Sequence, residues 1–121
     1  MFDLDNFKDI NDTFGHQTGD KVLMEVASLI KKVVRSVDVI SRWGGDEFLI
    51  LCPETGLSEA CRLAEHLREK IAEYSFPGGI QVTVSVGVCE FSSKDNPEQL
   101  LSKVDEALYR AKSSVKNTVV S

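Results

Sequence analysis

Two glycines, Gly44 and Gly45, separate two short runs of strand-forming residues. The runs, residues 37–43 and 48–52, are rich in branched and aromatic side chains, which favour β-strands. A glycine pair tolerates the positive φ angles of a tight hairpin turn. The sequence therefore predicts an antiparallel hairpin with two acidic residues directly after its turn.

Three amphipathic segments predict helices. Apolar residues recur at helical spacing over 20–34, where Asp20 is the expected N-cap, and again over 60–71. A third helix follows Asn96, with a proline at its first position and Gln99 at its third, a pattern typical of a capping box.

Three further segments predict strands. Residues 1–5 have the pattern of the end of a strand. Apolar side chains alternate with small or polar ones over 82–88, as in a half-buried strand, and residues 118–120 predict a short strand. The order strand, helix, hairpin, helix, strand, helix predicts an α+β fold with a mainly antiparallel central sheet flanked by helices. A length of 121 residues without a linker or repeat predicts a single domain.

Charge and composition exclude some partners. The formal net charge of −5 argues against a lasting grip on polymeric nucleic acid, although a small nucleotide could still be held by a metal ion and a few local cations. No apolar run approaches the ~20 residues of a membrane segment. Three cysteines without a Cys-x-x-Cys pair suit a reducing compartment, so we expect a cytoplasmic protein.

Two acidic pairs are candidates for chemistry. Asp3 and Asp5 end the opening strand and project to one face, while Asp46 and Glu47 follow the hairpin turn. Carboxylates that meet from separate strands suit Mg²⁺, which takes hard oxygen ligands and leaves room for phosphates. Acidic residues beside a hairpin are also commonly solvated, and the pattern alone leaves both interpretations open.

A polar stretch over residues 6–20 suits a nucleotide. Lys8 and Asn11 share a face if this stretch is helical. Asparagine and aspartate, as at Asp20, can read the hydrogen-bonding edge of a purine, and the N–H groups of a helix start suit phosphate. Ordinary capping by these residues explains the pattern as well.

Two further candidate sites contain basic residues. Arg35 and Asp38 could form a surface ion pair of little energetic weight, or a fork for a guanine edge or a phosphate. Lys112 and Lys116 lie near a helix C-terminus, where they favour the helix dipole and could also reach phosphates.

Together these blocks resemble the GGDEF domain of diguanylate cyclases. Residues 44–48 read Gly-Gly-Asp-Glu-Phe, the signature that names the family. Residues 3–20 are similar to its DxDxFKxxND…GH…GD stretch, and 35–38 to its RxxD inhibitory motif with the same five-residue gap before the signature. Residues 82–87 and 105–112 resemble its later blocks. Five ordered blocks over almost the whole chain make the resemblance specific.

The resemblance implies a palm-like nucleotide-cyclase, ferredoxin-like fold and an enzyme of bacterial second-messenger signalling. Its reaction condenses two GTP into cyclic di-GMP and two pyrophosphates, with Mg²⁺ as cofactor and Mn²⁺ as the alternative metal. The symmetric product implies a homodimer, because each domain binds one GTP. Cyclic di-GMP is then both product and inhibitor, and the domain is cytoplasmic or the cytoplasmic part of a larger sensor protein.

The resemblance also assigns roles to individual residues. The metal ligands are Asp3, the Leu4 carbonyl and Asp46. Asp46 or Glu47 deprotonates the attacking 3′-hydroxyl, and Lys8 stabilises the transition state. The GTP-binding residues are Asn6, Phe7, Asn11, His16, Asp20, Gly44, Gly45, Lys112 and Lys116. The inhibitory site consists of Arg35 and Asp38.

This sequence departs from the family in two places. Val115, Lys116 and Asn117 stand where the family has Gly-Arg-Asn, and lysine keeps the charge but loses the bidentate fork. The family's upstream helix and the start of its first strand have no counterpart in 1–121, so a weakly active or inactive fragment is expected. A cyclic di-GMP-binding module, an enzyme making another cyclic dinucleotide and a purely dimerising domain are the alternatives, although intact Asp3 and Asp46 argue against a binding module.

Overall fold

A computed structural model describes the whole chain, residues 1–121. The strands are β1 (Phe2–Leu4), β2 (Val39–Arg42), β3 (Glu47–Leu51), β4 (Val84–Gly87) and β5 (Val119–Val120). The helices are α1 (Phe7–Phe14), α2 (His16–Val33), α3 (Leu57–Glu73) and α4 (Pro97–Ser113), and a 3₁₀ turn covers Pro77–Gly79.

The five strands form one sheet in the order β2-β3-β1-β4-β5. β1 is central and antiparallel to both neighbours, with Phe2 opposite Phe48 on β3 and Val86 on β4. Only the edge strand β5 runs parallel to its neighbour, β4. The predicted α+β class and mainly antiparallel sheet are therefore confirmed.

Helices cover both faces of the sheet. Residues of α2 and α3 form the larger core with the even-numbered residues of β1, Phe2 and Leu4. Met1, on the opposite face, packs with Val104 and Leu108 of α4. Because successive side chains of a strand alternate between faces, Asp3 also projects towards the α4 side. None of the four α-helices combines the length and the apolar composition of a membrane-spanning segment.

The start of α4 follows the capping-box prediction. The side chain of Asn96 accepts a hydrogen bond from the Gln99 backbone N–H at 2.8 Å, and the Gln99 side chain accepts one from the Asn96 N–H at 3.0 Å. The two bonds satisfy N–H groups that a helix start leaves without a partner, which fixes where α4 begins.

β4 differs from the prediction of a half-buried strand, because all four of its residues are buried. Ser85 can be buried at low cost because its hydroxyl donates to the carboxylate of Asp5 at 2.6 Å. Gly87 is buried because α4 crosses it closely: an added Cβ would lie 2.4 Å from the Leu108 backbone nitrogen. With helices on both faces, serine and glycine fill the positions that alternation assigned to solvent.

The predicted helix over 20–34 begins four residues earlier, at His16, and a separate helix, α1, precedes it. Gly15 joins the two helices with a φ of 90°, and its N–H bonds to the carbonyl of Asn11 at 2.8 Å. The expected N-cap, Asp20, therefore lies within α2, and that prediction was wrong.

The predicted hairpin is present as β2 and β3, with Ile40 opposite Ile50. Gly44 and Gly45, however, do not adopt positive φ. The turn is held instead by the guanidinium of Arg42, which donates to the carbonyl of Gly44 at 3.2 Å and to that of Gly45 at 2.7 Å. The turn is therefore stabilised by the Arg42 side chain of the preceding strand and not by the positive φ angles that a glycine pair allows.

Candidate active site

The sheet brings the two predicted acidic pairs together. Asp3 on β1 is the direct partner of Glu47 on β3, and the Leu4 backbone N–H donates to the Asp46 carbonyl at 3.2 Å. Side chains directly opposite one another on antiparallel strands lie on the same face. The end of β1 and the start of β3 therefore form one acidic cluster, which we define as Asp3, Asp5, Asp46 and Glu47.

Asp3 is the member of the acidic cluster that has a buried oxygen atom without a hydrogen-bond partner. Its Oδ1 is buried and accepts no hydrogen bond, and its Oδ2 lies 3.6 Å from Lys112 Nζ. Burial, followed by the proximity of Asp46, raises the pKa of Asp3 to about 7. A buried carboxylate oxygen without a donor favours a bound cation.

Asp5 has the opposite environment. Its buried carboxylate accepts hydrogen bonds from Thr83 Oγ1 at 2.7 Å, Lys112 Nζ at 3.0 Å and the Asn117 N–H at 2.9 Å, in addition to the Ser85 bond. Burial opposes ionisation of Asp5, yet these donors hold its pKa below the usual range. Asp5 therefore ties together β1, β4 and the chain after α4.

Lys112, in the last turn of α4, lies among the predicted metal ligands. Its ammonium donates to the Leu4 carbonyl at 3.2 Å and approaches both Asp3 and Asp5. The positive charge offsets part of the repulsion within the acidic cluster. The structure thus places this predicted substrate cation beside the carbonyl and the carboxylate assigned to the metal.

The donor set suits a divalent cation that also binds phosphates. No group of three or more His, Cys, Asp or Glu side chains in the chain is arranged to hold a metal by itself. Asp3, Asp46 and the Leu4 carbonyl supply hard oxygens, and Mg²⁺ is commonly held by one or two carboxylates plus water and substrate phosphates. The unpartnered Oδ1 of Asp3 agrees with such a site.

The N-terminus of α1 adjoins the acidic cluster in sequence and supplies free donors. Asn6, the N-cap, has a left-handed backbone with φ 58°, and its side chain makes no capping bond. The first-turn N–H groups, including that of Phe7, therefore stay without a side-chain partner. Lys116 donates to Asn6 Oδ1 at 3.1 Å, while Lys8 is exposed and forms no ion pair.

The predicted base-reading residues lie where α1 packs on α2. The half-buried Asn11 side chain lies against Gly19, the residue before Asp20. His16 and Asp20 are exposed and four residues apart, so they share one face of α2.

A ligand could approach the backbone of the glycine turn closely. Gly44 and Gly45 are exposed, and a Cβ added at Gly45 would meet no atom within 4 Å. An apolar cavity of about 660 Å³ lies elsewhere, between the ends of β3 and β4, and none of the predicted site residues lines it. The candidate site is therefore not this cavity but the polar surface around the acidic cluster.

Arg35 and Asp38 lie at the other end of the β2–β3 hairpin. They form a two-pronged ion pair, and Arg35 also donates to the Pro53 carbonyl at 3.1 Å and to Thr55 Oγ1 at 2.7 Å. The four residues of β2 separate this pair from the glycine turn by about 13 Å. The pair is thus a second location, distinct from the acidic cluster.

The departures from the family pattern are tolerated locally. Val115, in place of glycine, has no positive φ and is 88% exposed. Lys116 keeps a cation at Asn6, and Asn117 keeps its backbone bond to Asp5.

Two contributors were missed by sequence reasoning. One is the anchoring of Asp5 by Thr83 and Ser85, about 80 residues away in the chain. The other is Arg42, which holds the glycine turn. The position of Arg42, two residues before Gly44, was the available signal for the second, whereas nothing local signalled the first.

Comparisons with known proteins agree on one family. The family described as "Diguanylate cyclase, GGDEF domain" matches residues 1–118. Diguanylate cyclase DgcM of Escherichia coli K12 is 41% identical over 121 residues, which are the whole chain and 30% of that protein. The chain therefore spans less than a third of that relative.

Solved structures show the same fold. The active GGEEF domain of a diguanylate cyclase from Vibrio cholerae superimposes with a TM-score of 0.92 at 35% identity, covering 98% of this chain and 78% of that one. The GGDEF domain of DgcB from Caulobacter crescentus, solved in complex with c-di-GMP, gives 0.92 at 32% identity over 98% and 73%. The palm-like cyclase fold is thus confirmed, and this chain belongs to the GGDEF domain family of diguanylate cyclases.

Proposed function

We propose that this domain condenses two GTP molecules into cyclic di-GMP and two pyrophosphates, with Mg²⁺ as the metal and Mn²⁺ as a substitute. The observation that carries the proposal is the acidic cluster. Asp3 offers a buried oxygen without a partner, beside the Leu4 carbonyl, Asp46 and the Lys112 ammonium. Hard anionic oxygens next to a cation suit a metal-bound triphosphate.

Substrate binding would use the surface from the glycine turn to α2. Asn11 and Asp20 would read the guanine edge, with His16 nearby. The N–H groups of Asn6 and Phe7 and the open turn at Gly44 and Gly45 would receive phosphate oxygens, because orphan N–H groups attract anions. The cations that would balance the phosphate charge are Lys8, Lys112 and Lys116.

The chemistry is an attack of one 3′-hydroxyl on the α-phosphorus of the other GTP. A bound divalent metal would supply charge neutralisation and a lower pKa for the attacking hydroxyl. Asp46 or Glu47 would take the hydroxyl proton as the new P–O bond forms. The bond from the α-phosphorus to its bridging oxygen breaks, and pyrophosphate leaves. Lys8 would stabilise the charge of the transition state.

Two copies of the domain would face one another. One domain has one set of base-reading residues and one acidic cluster, whereas the product joins two equivalent nucleotides. A two-fold homodimer would place each 3′-hydroxyl opposite the other α-phosphate. GTP as substrate and three unpaired cysteines support a cytoplasmic location.

Arg35 and Asp38 would form a product-inhibition site. Support comes from their place in the chain, apart from the acidic cluster, and from a guanidinium that is half exposed. Arginine can grip a guanine edge or a phosphate bidentately, so cyclic di-GMP would compete with the bonds that Arg35 makes to Asp38 and Thr55.

Separation of the nucleotides after incubation with GTP and Mg²⁺ tests the proposal. The protein expressed from its complete reading frame is used, at concentrations that allow dimers. Asp46→Asn is the inactive variant and Asp12→Asn, an exposed substitution on α1, is the matched control. We expect cyclic di-GMP from the wild type and the control only. Binding of cyclic di-GMP without synthesis would indicate a binding module, and a different cyclic dinucleotide would overturn the substrate assignment.

A further inference from the structure

Gly19 occupies a position where glycine is not expected. It is buried in the second turn of α2, and glycine is the least favourable helix residue apart from proline. Its φ is not positive, so the backbone itself does not require glycine. A glycine in a helix interior usually has a packing or functional reason.

The reason here is the side chain of Asn11. A Cβ added to Gly19 would lie 1.8 Å from Asn11 Oδ1 and 3.0 Å from its Cγ, far inside van der Waals contact. Phe7 Cζ, at 3.3 Å from the same point, closes the other side. The carboxamide of Asn11 therefore rests directly on the backbone of α2, in space that any other residue at this position would fill.

Packing alone orients this carboxamide. None of the side-chain hydrogen bonds within the chain involves Asn11, so both its oxygen and its amide group stay available to a ligand. The next residue after Gly19 is Asp20, whose carboxylate is exposed. Close contact of α1 and α2 at Gly19 thus holds the Asn11 carboxamide against the residue that precedes Asp20.

We infer that Gly19 is a positioning residue for base recognition: the missing side chain lets Asn11 lie beside Asp20, so that both read one purine edge. The inference rests on the proposed function, because it takes guanine as the base that these residues contact. A side chain at position 19 would rotate the Asn11 carboxamide away from the base. Orientation at this scale decides whether a hydrogen bond forms.

A double-mutant cycle tests the inference. The variants are Gly19→Ala, Asn11→Ala and the two combined, with Gly56→Ala as the matched control because a Cβ there meets no atom within 4 Å. KM and kcat are measured for GTP and for inosine triphosphate, which lacks the 2-amino group of guanine.

We expect Gly19→Ala to raise KM for GTP roughly tenfold, with kcat within about threefold, and to reduce the preference for GTP over inosine triphosphate. Asn11→Ala should do the same, and the combined variant should be no worse than Asn11→Ala, because the first change acts through the second residue. An unchanged KM in Gly19→Ala, or effects that multiply in the combined variant, would overturn the inference.

Melting temperatures keep the test decisive if Gly19→Ala does not fold. The combined variant removes the crowded carboxamide and should recover the wild-type melting temperature to within a few degrees. A combined variant as unstable as Gly19→Ala would contradict the inference. Calorimetric binding of GTP separates the two proposals: if the wild type makes no product but binds GTP about tenfold tighter than Gly19→Ala, condensation fails while the positioning role stands.

Discussion

Two aspartates separated by one residue have pKa values that are shifted in opposite directions. Asp3 and Asp5 project to the same side of β1, and both approach Lys112. Asp5 accepts bonds from two hydroxyls, an ammonium and a backbone N–H, whereas Asp3 faces Asp46 and Glu47 and has one oxygen without a donor. Asp5 is therefore ionised as part of the fold, whereas Asp3 is the carboxyl that we propose as a metal ligand.

The Asp3→Asn variant should gain stability relative to the wild type as pH rises. In the unfolded chain Asp3 ionises near its ordinary value of 3.8, and in the folded chain near 7. Between those values the folded state retains the proton, so the wild type loses stability from pH 4 to pH 7, whereas asparagine does not titrate. From pH 5 to pH 8, without metal, the variant should gain on the order of 1–2 kcal/mol over the wild type.

Thermal unfolding across this pH range, with and without Mg²⁺, checks the prediction. Mg²⁺ should raise the melting temperature of the wild type at pH 8 and have little effect on Asp3→Asn. A difference between the two proteins that is the same at pH 5 and pH 8 would show that Asp3 ionises normally in the fold.

At the scale of single elements, the β2–β3 hairpin has one candidate site at each end. The turn end holds Gly44, Gly45 and Asp46 next to β1, and the open end holds the Arg35–Asp38 pair against Thr55. The four residues of β2 separate the two ends by about 13 Å, so changes at the two ends should have separable effects.

Arg42→Ala should loosen the turn end. The variant loses both guanidinium bonds to the turn carbonyls, and because these bonds are exposed, the free energy of unfolding should fall by less than about 1 kcal/mol. Asp46, directly after the turn, would lose its fixed position, so kcat/KM for GTP should fall about tenfold. Arg62→Ala removes an exposed arginine from α3 and is the control; an equal loss of activity in both variants would refute this role of Arg42.

Arg35→Ala should act only at the open end. The initial rate with GTP should stay within about twofold of wild type, because the pair lies about 13 Å from the glycine turn. The concentration of cyclic di-GMP that halves the rate should rise at least tenfold. Initial rates measured with added product check this, and inhibition equal to that of the wild type would exclude Arg35 from the inhibitory site.

Local sequence patterns predicted the helices and strands better than they predicted which residues are buried and which hydrogen bonds they make. The helix after Asn96 and the hairpin followed from capping and turn residues that act over a few positions. The burial of Gly87 depends on α4 crossing β4, and the anchoring of Asp5 depends on β4 pairing with β1. Such contacts join distant segments and leave no periodic signal, which is why candidate site residues could be named from the sequence but their hydrogen-bond partners could not.

At the scale of the whole molecule, one copy of the domain has only one candidate nucleotide site. Under the proposed function, its acidic cluster, its α1 N-terminus and the residues Asn11 and Asp20 would bind one nucleotide, and a cyclic dinucleotide needs two. A domain that depends on its own dimer should have a specific activity that rises with protein concentration, because dilution removes the partner by mass action.

Pyrophosphate release and nucleotide products, measured together over a range of protein concentrations with GTP and Mg²⁺, test the central claim most directly. The account predicts two pyrophosphates for each cyclic di-GMP, a rate per chain that rises with concentration, and no product from Asp46→Asn. GTP consumption without a cyclic dinucleotide, or undiminished synthesis by Asp46→Asn, would contradict it.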